Sequence, residues 1–447
     1  MHARTRRNSG ARKARVGRAM TNPEDLESSA ERARIVDAEF DIHAVLEARS
    51  MSSHFQPIIS IREKRVIGLE ALIRATNPGS GKSISPNYLF DAANRHKQSL
   101  QLDRMCREAA LTGFATLASL DPELILFINV DVSSLSRSNA ESNALIKLTE
   151  EHGIPSERVA IEIIESKIRD ASALQRFVAF HRKRGFLIAL DDMGAGHSNL
   201  ERIASIKPDI IKLDRSLIQN IDREYHKQEL FDFFLKLAHK IGVVVVVEGI
   251  ETEAEALSCL ERGADLVQGY YFAYPQPPAR TCLESGLDYA TRLRSVLTEQ
   301  MVRRFTERKL MYKRYNDIAS RITAVVEMSD PAAYETMLEH ALGRFPSAEC
   351  AYVIHESGRQ ITRTVFNPTC SRRRRTALFG PSPAGGNQSA KEYFMYLGTN
   401  QRHYVTRPYV SVATGNVCVT ISNRVSMTSG ESYVVCVDIN LSEGTEA

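Results

Sequence analysis

A rhythm of short apolar runs, most of them closing on a polar residue and giving way to a helical stretch, constrains this chain more than any other feature. The runs are His54 to Ile61, Val66 to Arg74, Leu124 to Val130, Val159 to Ile164, Leu187 to Leu190, Ile210 to Leu213, Val243 to Val247 and Leu266 to Phe272. Each is too short for a helix of ordinary length and rich in β-branched residues, so each reads as a strand buried on both faces. Between them, apolar residues recur at three- and four-residue spacings over Ser85 to Leu120, Leu145 to His152, Ala171 to Arg184 and Lys227 to Lys240. Strands alternating with helices demand a parallel sheet, and eight of them predict a closed (β/α)8 TIM-like barrel rather than an open sheet.

Active sites of such barrels lie at the carboxyl ends of the strands. Here those ends carry Asn129, Glu162, Asp191, Asp192, Lys212, Glu248 and Gln268. A single acid at a strand end is a polar turn; the same chemistry at strand after strand forms one layer around one axis. Asp191 and Asp192 stand side by side, followed by Gly194 and Gly196, and adjacent carboxylates need a cation between them. Carboxylate and amide oxygens without histidine or cysteine suit hard cations such as Mg²⁺ or Mn²⁺. Two such ions activate a water and stabilise charge on an attacked phosphorus. Asp191 is the natural shared ligand, Lys212 can orient the water or offset phosphoryl charge, and Arg74 suits bidentate phosphate binding. Glu70, Leu72 and Arg74 share one face of their strand by the two-residue period, and a solvent-facing ion pair is the plainer alternative for Glu70 and Arg74.

The rest of the composition bounds the partners. At 447 residues the chain has room for a large barrel and a smaller module. Residues 1 to 18 hold seven basic residues and no acid, and removing those seven from the formal +4 leaves −3, so the remainder is mildly acidic. That arm lacks the interleaved aromatics of a nucleic-acid-binding segment and the apolar core of a signal peptide, so nucleic-acid binding is not expected. A disordered arm, or one preceding a true start at Met20, is the reading adopted. No apolar run approaches the length of a membrane span. Seven cysteines without a C-x-x-C pair suit free thiols in a reducing compartment, which points to the cytoplasm.

An ordered series of motifs makes the first half specific. It runs F-Q-P-I from Phe55, G-L-E-A-L-I-R around Glu70, Ala71 and Leu72, F-I-N-V with Asn129, and Glu162 with Glu165. It continues with D-D-M-G-A-G-H-S-N-L from Asp191, I-K-L-D from Ile211, V-E-G-I-E from Val247 and Q-G-Y-Y-F from Gln268. From about His54 to Pro278 the chain resembles the EAL-type cyclic di-GMP phosphodiesterase domain. The resemblance implies hydrolysis of cyclic di-GMP to linear 5′-pGpG with two Mg²⁺ or Mn²⁺ ions per site. It implies that Glu70, Asn129, Glu162 and Asp191 hold one metal, that Asp192 and Glu248 help hold the second, and that Glu248 and Lys212 manage the nucleophilic water. Gln56, Leu72, Arg74, Asp214, Glu251, Gln268 and Pro275 would face the substrate. Glu165 would tie down the loop after Asp192, which in relatives contributes to dimerisation, so a homodimer is expected. One barrel strand is expected to run antiparallel. Met193 replaces a usual Phe and Asp131 a common Ser; neither change removes a ligand. A catalytically weak cyclic di-GMP receptor is the alternative function, and a different metalloenzyme on the same barrel a third.

Beyond Pro278 the pattern changes. Leu293, Leu297, Met301 and Phe305 recur every four residues, followed by Met311, Tyr315, Ile318, Ile322 and Val325, which predicts a long helix, either packing locally or acting as a dimerising signalling helix. From Pro331 an α+β module is expected, with strands at Ala351 to His355, Val417 to Ser422 and Tyr433 to Val437 and a disordered loop from Ser371 to Gln388. Its segment from Tyr404 to Ser422 and the ending Y-V-V-C-V-D-I resemble PAS/Cache-like sensor domains of the YkuI-type EAL proteins, implying a small-molecule or protein signal. The expected division is a basic arm over 1–23, the barrel over 24–285, a helical linker over 286–330 and the sensor over 331–447.

Overall fold

The structure is a computed structural model that describes residues 40–441 apart from 136–139, 165–169, 196–199, 370–379, 398–400, 412–413 and 428–429. It divides into two compact units, the first ending at Glu299 and the second beginning at Gln300.

The first unit is a closed barrel. Its strands are β1 (Met51–Ser60), β2 (Arg65–Thr76), β4 (Ile125–Asn129), β5 (Val159–Ile164), β6 (Leu187–Met193), β7 (Ile210–Leu213), β8 (Val244–Val247) and β9 (Leu266–Val267), with β3 (Ser83–Ile84) a short extension beside β2. The hydrogen-bonded order is β1-β9-β8-β7-β6-β5-β4-β2, and β1 pairs with β2 to close the ring. β1 runs antiparallel to both neighbours, β2 and β9, while the pairs from β2 round to β9 are parallel. All eight expected strands are present, and the single reversed strand agrees with what the family resemblance implied.

Two apolar layers hold the barrel together. The outer one packs strand residues such as Leu126, Ile161, Ile188 and Val245 against helix residues Phe114, Phe177 and Phe231. The inner one, Ile58, Phe127, Ala160, Ala189, Ile210, Val246 and Leu266, fills the barrel beneath the polar strand ends. Phe127 explains Gly68 in the middle of β2: a Cβ there would stand 2.5 Å from the Phe127 ring. Helix starts are written locally, as at Thr252, whose side chain accepts the Glu255 N–H while Glu255 reaches back to the Thr252 backbone.

Two elements differ from expectation. The helical stretch Ser85 to Leu120 is two helices, Pro86–Arg95 and Ser99–Ala118, because the chain turns at Lys97, whose φ is +57°. The run Leu266 to Phe272 stays extended only over Leu266–Val267. Gly269 ends it: a Cβ there would lie 2.1 Å from the Ile250 carbonyl oxygen, so the turn can approach that backbone only with glycine. The charged, Ala-rich stretch Glu24 to Arg49 suits one leading amphipathic helix, and among its described residues, which begin at Phe40, the helix is Ile42–Glu47.

The second unit carries an antiparallel sheet of β10 (Ala348–His355), β11 (Val365–Phe366), β12 (His403–Val405), β13 (Tyr409–Val410), β14 (Val417–Ser426) and β15 (Ser432–Asn440), in the order β11-β10-β15-β14-β12 with β13 also on β14. One face packs Val353, Val437 and Ile421 against Ile318 and Ile322 of the helix Leu287–Glu327 and Leu338 of the helix Tyr334–Leu342. The opposite face is buried and mixed, with Asp438 accepting from Thr420 Oγ1 at 2.7 Å and Tyr352 donating to Tyr393 at 2.9 Å beside a smaller apolar cluster of Ile354, Val434, Cys436 and Leu397. The loop expected to be disordered packs onto the unit in its second part, where Gln388 is buried and donates to Gln360 at 2.8 Å; residues 370–379 lie outside the described ones. Along the helix Leu287–Glu327, Ala290 and Leu293 belong to the barrel core, Tyr315 to Val326 to the second core, and Met301, Val302, Phe305 and Leu310 are exposed.

Candidate active site

The period of two along each strand places one side chain per strand end on the inward face, one step above the inner apolar layer. Phe127 precedes Asn129, Ala160 precedes Glu162, Ala189 precedes Asp191, Ile210 precedes Lys212, Val246 precedes Glu248 and Leu266 precedes Gln268, each by two residues. Register staggers them around the ring: Asn129 stands beside Glu162 in the paired strands, whereas Glu162 stands beside Ala189 and Lys212 beside Val246 of the apolar layer.

Lys212 is the hub. It is fully buried, with its ammonium 2.5 Å from Glu162 Oε1, 2.5 Å from Glu248 Oε1, 3.3 Å from Glu70 Oε2 and 3.6 Å from Asp191 Oδ1. Around it the polar groups interlock. Asn129 donates to Glu162 Oε2 at 2.9 Å, and Gln268 donates to Glu70 Oε2 at 2.7 Å and to Gln56 Oε1 at 3.2 Å. Gln56 in turn donates to the Ala273 carbonyl at 3.0 Å. Burial, reinforced by the neighbouring carboxylates, pushes the pKa of Glu162 up; burial likewise raises Asp191 and Glu248 despite the ammonium beside them. Burial disfavours the Lys212 ammonium, but Asp191, Glu162, Glu248 and Glu70 outweigh it and hold its pKa well above the usual lysine value.

Asp191 and Asp192 are not equivalent. Asp191 ends the inward row and accepts the Asp192 N–H at 2.9 Å, whereas Asp192 takes a left-handed backbone, φ +59°, within the register shift of β6 between Leu190 and Met193. Gly194 follows at φ +104°, and residues 196–199 lie outside the described ones, as does Glu165.

The expected substrate-facing residues spread around the rim. Arg74 is half-buried, donates to the Ile73 carbonyl at 2.9 Å, and has its pKa lowered by burial. Leu72, Arg74 and Asn129 line a cavity of about 230 Å³ that also includes Phe90 and Asp131. Asp214 caps the short helix Arg215–Ile218 by accepting the Ser216 N–H at 2.8 Å, and Glu251 accepts from Arg215 at 2.8 Å. Pro275 sits beside the Phe55–Gln276 backbone pairing, which ties the segment after β9 to β1. Three rim residues were not singled out from sequence: Arg215, and Tyr270 with Tyr274, whose rings stack with centroids 4.5 Å apart. Tyr270 lies inside the Q-G-Y-Y-F motif and Tyr274 two residues past it, and both are more than half exposed, at 51% and 62%, which single-sequence pattern cannot show.

The donors suit a hard cation. Four carboxylates meet a single ammonium, two amides donate to two of them, there is no histidine or cysteine in the set, and Glu162 Oε1 and Glu248 Oε1 meet Lys212 as ion pairs without hydrogen-bond geometry. Among the described residues no three acidic, histidine or cysteine side chains stand around one metal-sized point, because the carboxylates close on Lys212. The donor chemistry and the excess negative charge therefore fit divalent metal.

Fold and site together define a (β/α)8 barrel with one reversed strand and an all-oxygen, carboxylate-rich centre at its carboxyl mouth. The chain belongs to the EAL domain family, which it matches over residues 41–275. The EAL-domain protein YkuI of Bacillus subtilis is 26% identical over 384 residues, covering 83% of this chain and 90% of YkuI. The cyclic di-GMP phosphodiesterase RocR of Pseudomonas aeruginosa is 30% identical over 242 residues, 53% of this chain and 60% of RocR. In fold, this chain is similar to the crystal structure of YkuI in complex with cyclic di-GMP and calcium, with a TM-score of 0.72 at 24% identity over 90% of this chain and all of that one. No helix among the described residues is long and apolar enough to cross a membrane.

Proposed function

We propose that the barrel hydrolyses one phosphodiester bond of cyclic di-GMP to give 5′-pGpG with Mg²⁺ or Mn²⁺. The observation that carries this reading is the convergence of Glu70, Glu162, Asp191 and Glu248 on Lys212 in a chain of the EAL family. Relatives named as cyclic di-GMP phosphodiesterases support the substrate. Glu70, Asn129, Glu162 and Asp191 would hold one ion, and Asp192 and Glu248 would help hold a second. Bound there, the ions would acidify a water and polarise a phosphoryl oxygen. Glu248 would accept the proton of the attacking water, and the Lys212 ammonium would offset the charge that develops as that proton leaves. Arg74 and Gln268 would hold the phosphate in line, with one base in the cavity beside Leu72, Arg74 and Asn129 and the rim residues Asp214, Glu251 and Pro275 facing the other half of the substrate. Regulation by the second unit, and a homodimer engaging the exposed residues Met301, Val302 and Phe305 of the long helix, extend the same reading.

The test is product analysis on the purified full chain with Mg²⁺ and with Mn²⁺. Accumulation of 5′-pGpG is expected. Binding without cleavage would make the barrel a receptor, and cleavage of unrelated phosphodiesters with cyclic di-GMP left intact would assign it another reaction.

A further inference from the structure

The mouth of the barrel opposite the catalytic layer is open. A bowl of about 730 Å³ sits there, within the size range of small-molecule sites and larger than the cavity beside Arg74. Its floor is apolar, built from Ile67, Ile125, Phe127, Leu187, Ile210 and Val244. In a closed barrel this end is ordinarily sealed, since exposed aliphatic surface carries a cost without return. Here Val244 keeps 40% of its surface exposed although it begins β8, a strand paired on both sides.

The rim sets the chemistry of an occupant. Its acids are already engaged: Asp209 accepts the Ile188 N–H at 2.9 Å and lies 3.8 Å from Arg182, and Asp265 accepts the Val245 N–H at 2.9 Å and meets His239 at 3.1 Å. Arg65 is matched by Glu63 and Glu123 at 2.9 and 3.2 Å. Two cations remain. Arg294 donates only to the Arg62 carbonyl, at 2.9 Å, and among the described residues neither Arg62 nor Arg294 has an acidic partner. An apolar floor beneath two unmatched guanidinium groups fits a molecule with an alkyl body and a single anionic head.

We propose that this bowl is a second ligand site, for a medium-chain amphiphilic anion such as a fatty-acid carboxylate, distinct from the catalytic mouth. The floor lies one or two inward steps beneath the catalytic layer on four strands: Ile125, Phe127 and Asn129 follow one another at the two-residue period, as do Leu187, Ala189 and Asp191, Val244, Val246 and Glu248, and Ile210 and Lys212. An alkyl chain seated on Phe127 and Ile210 therefore packs against the layer on which the metal-facing side chains rest, which makes the site suited to an effector. It does not depend on the barrel's reaction.

The experiment is calorimetric titration of the full chain with decanoate below its aggregation range, with decanol and acetate as the neutral and short-chain controls. Saturable one-to-one binding of decanoate is expected, with decanol and acetate at least about tenfold weaker. The surface double variant Arg62→Ala/Arg294→Ala should weaken decanoate at least about tenfold, and Val244→Asp, which puts a charge on the floor, should abolish binding. Absence of saturable binding, equal affinity for decanol, or unchanged affinity in both variants overturns the proposal.

Discussion

Replacing Lys212 with methionine tests how the catalytic layer is held before any metal arrives. The ammonium touches two carboxylates at 2.5 Å and two more at 3.3 and 3.6 Å, and its side chain is 1% exposed. At an effective dielectric of about 20, each 2.5 Å contact is worth roughly 6–7 kcal/mol gross. Desolvation of the ammonium cancels most of that sum, and breaking a buried ion pair from one side has a net cost of about 3–5 kcal/mol, because the partners are left buried and unpaired. For a unit of this size the expected fall in Tm is about 6–20 °C. The chain has no tryptophan, so far-UV circular dichroism in EDTA is the assay. Adding Mn²⁺ should recover part of the loss, since divalent cations can take over the same four carboxylates. A Tm within about 2 °C of the parent protein in EDTA would refute the view that Lys212 neutralises the cage.

Three further outcomes are expected. Glu70→Ala should bring turnover to background and weaken Mn²⁺ binding in a calorimeter, because it removes a donor and strips Gln268 of the nearer of its two acceptors; normal turnover would show the ligand assignment wrong. Gly269→Ala should cost about 1–3 kcal/mol and at least about tenfold in turnover, since the new Cβ would meet the Ile250 carbonyl at 2.1 Å and move Gln268; urea unfolding and steady-state rates read both. In the second unit, burial pushes the Asp438 carboxyl up to about 6 even though Thr420, Cys350 and Tyr409 hydrogen-bond to it. A carboxyl raised on folding stabilises fully below its unfolded pKa and loses that contribution as pH rises through the folded value. The second unit should therefore weaken between about pH 4 and pH 6 by up to about 3 kcal/mol, and Asp438→Asn should flatten that slope in urea midpoints taken across pH 4 to 8.

Much of the barrel was legible because its signals are local. A buried strand is a run of apolar residues, and every run singled out between His54 and Phe272 contributes a strand. What failed was also local in kind. The stretch Ser85 to Leu120 keeps helical spacing across a break, since periodicity says nothing about the left-handed turn at Lys97. The last strand looked seven residues long because Tyr271 and Phe272 are apolar, whereas the backbone of Ile250 takes the Tyr271 N–H and turns the chain away after Val267.

The sequence alone determined the alternation of elements, the hard oxygen chemistry of the strand ends and the motif series that marks the EAL family, because each follows from residue type and short-range spacing. Only the tertiary structure decided that four carboxylates close on one lysine, that Asp192 takes a left-handed backbone, and that Tyr270 stacks on Tyr274 at the rim. It also decided that the far mouth is an open apolar bowl with two unmatched arginines. These are contacts between residues far apart in the chain, set by barrel closure and strand register, and no spacing along the sequence encodes them.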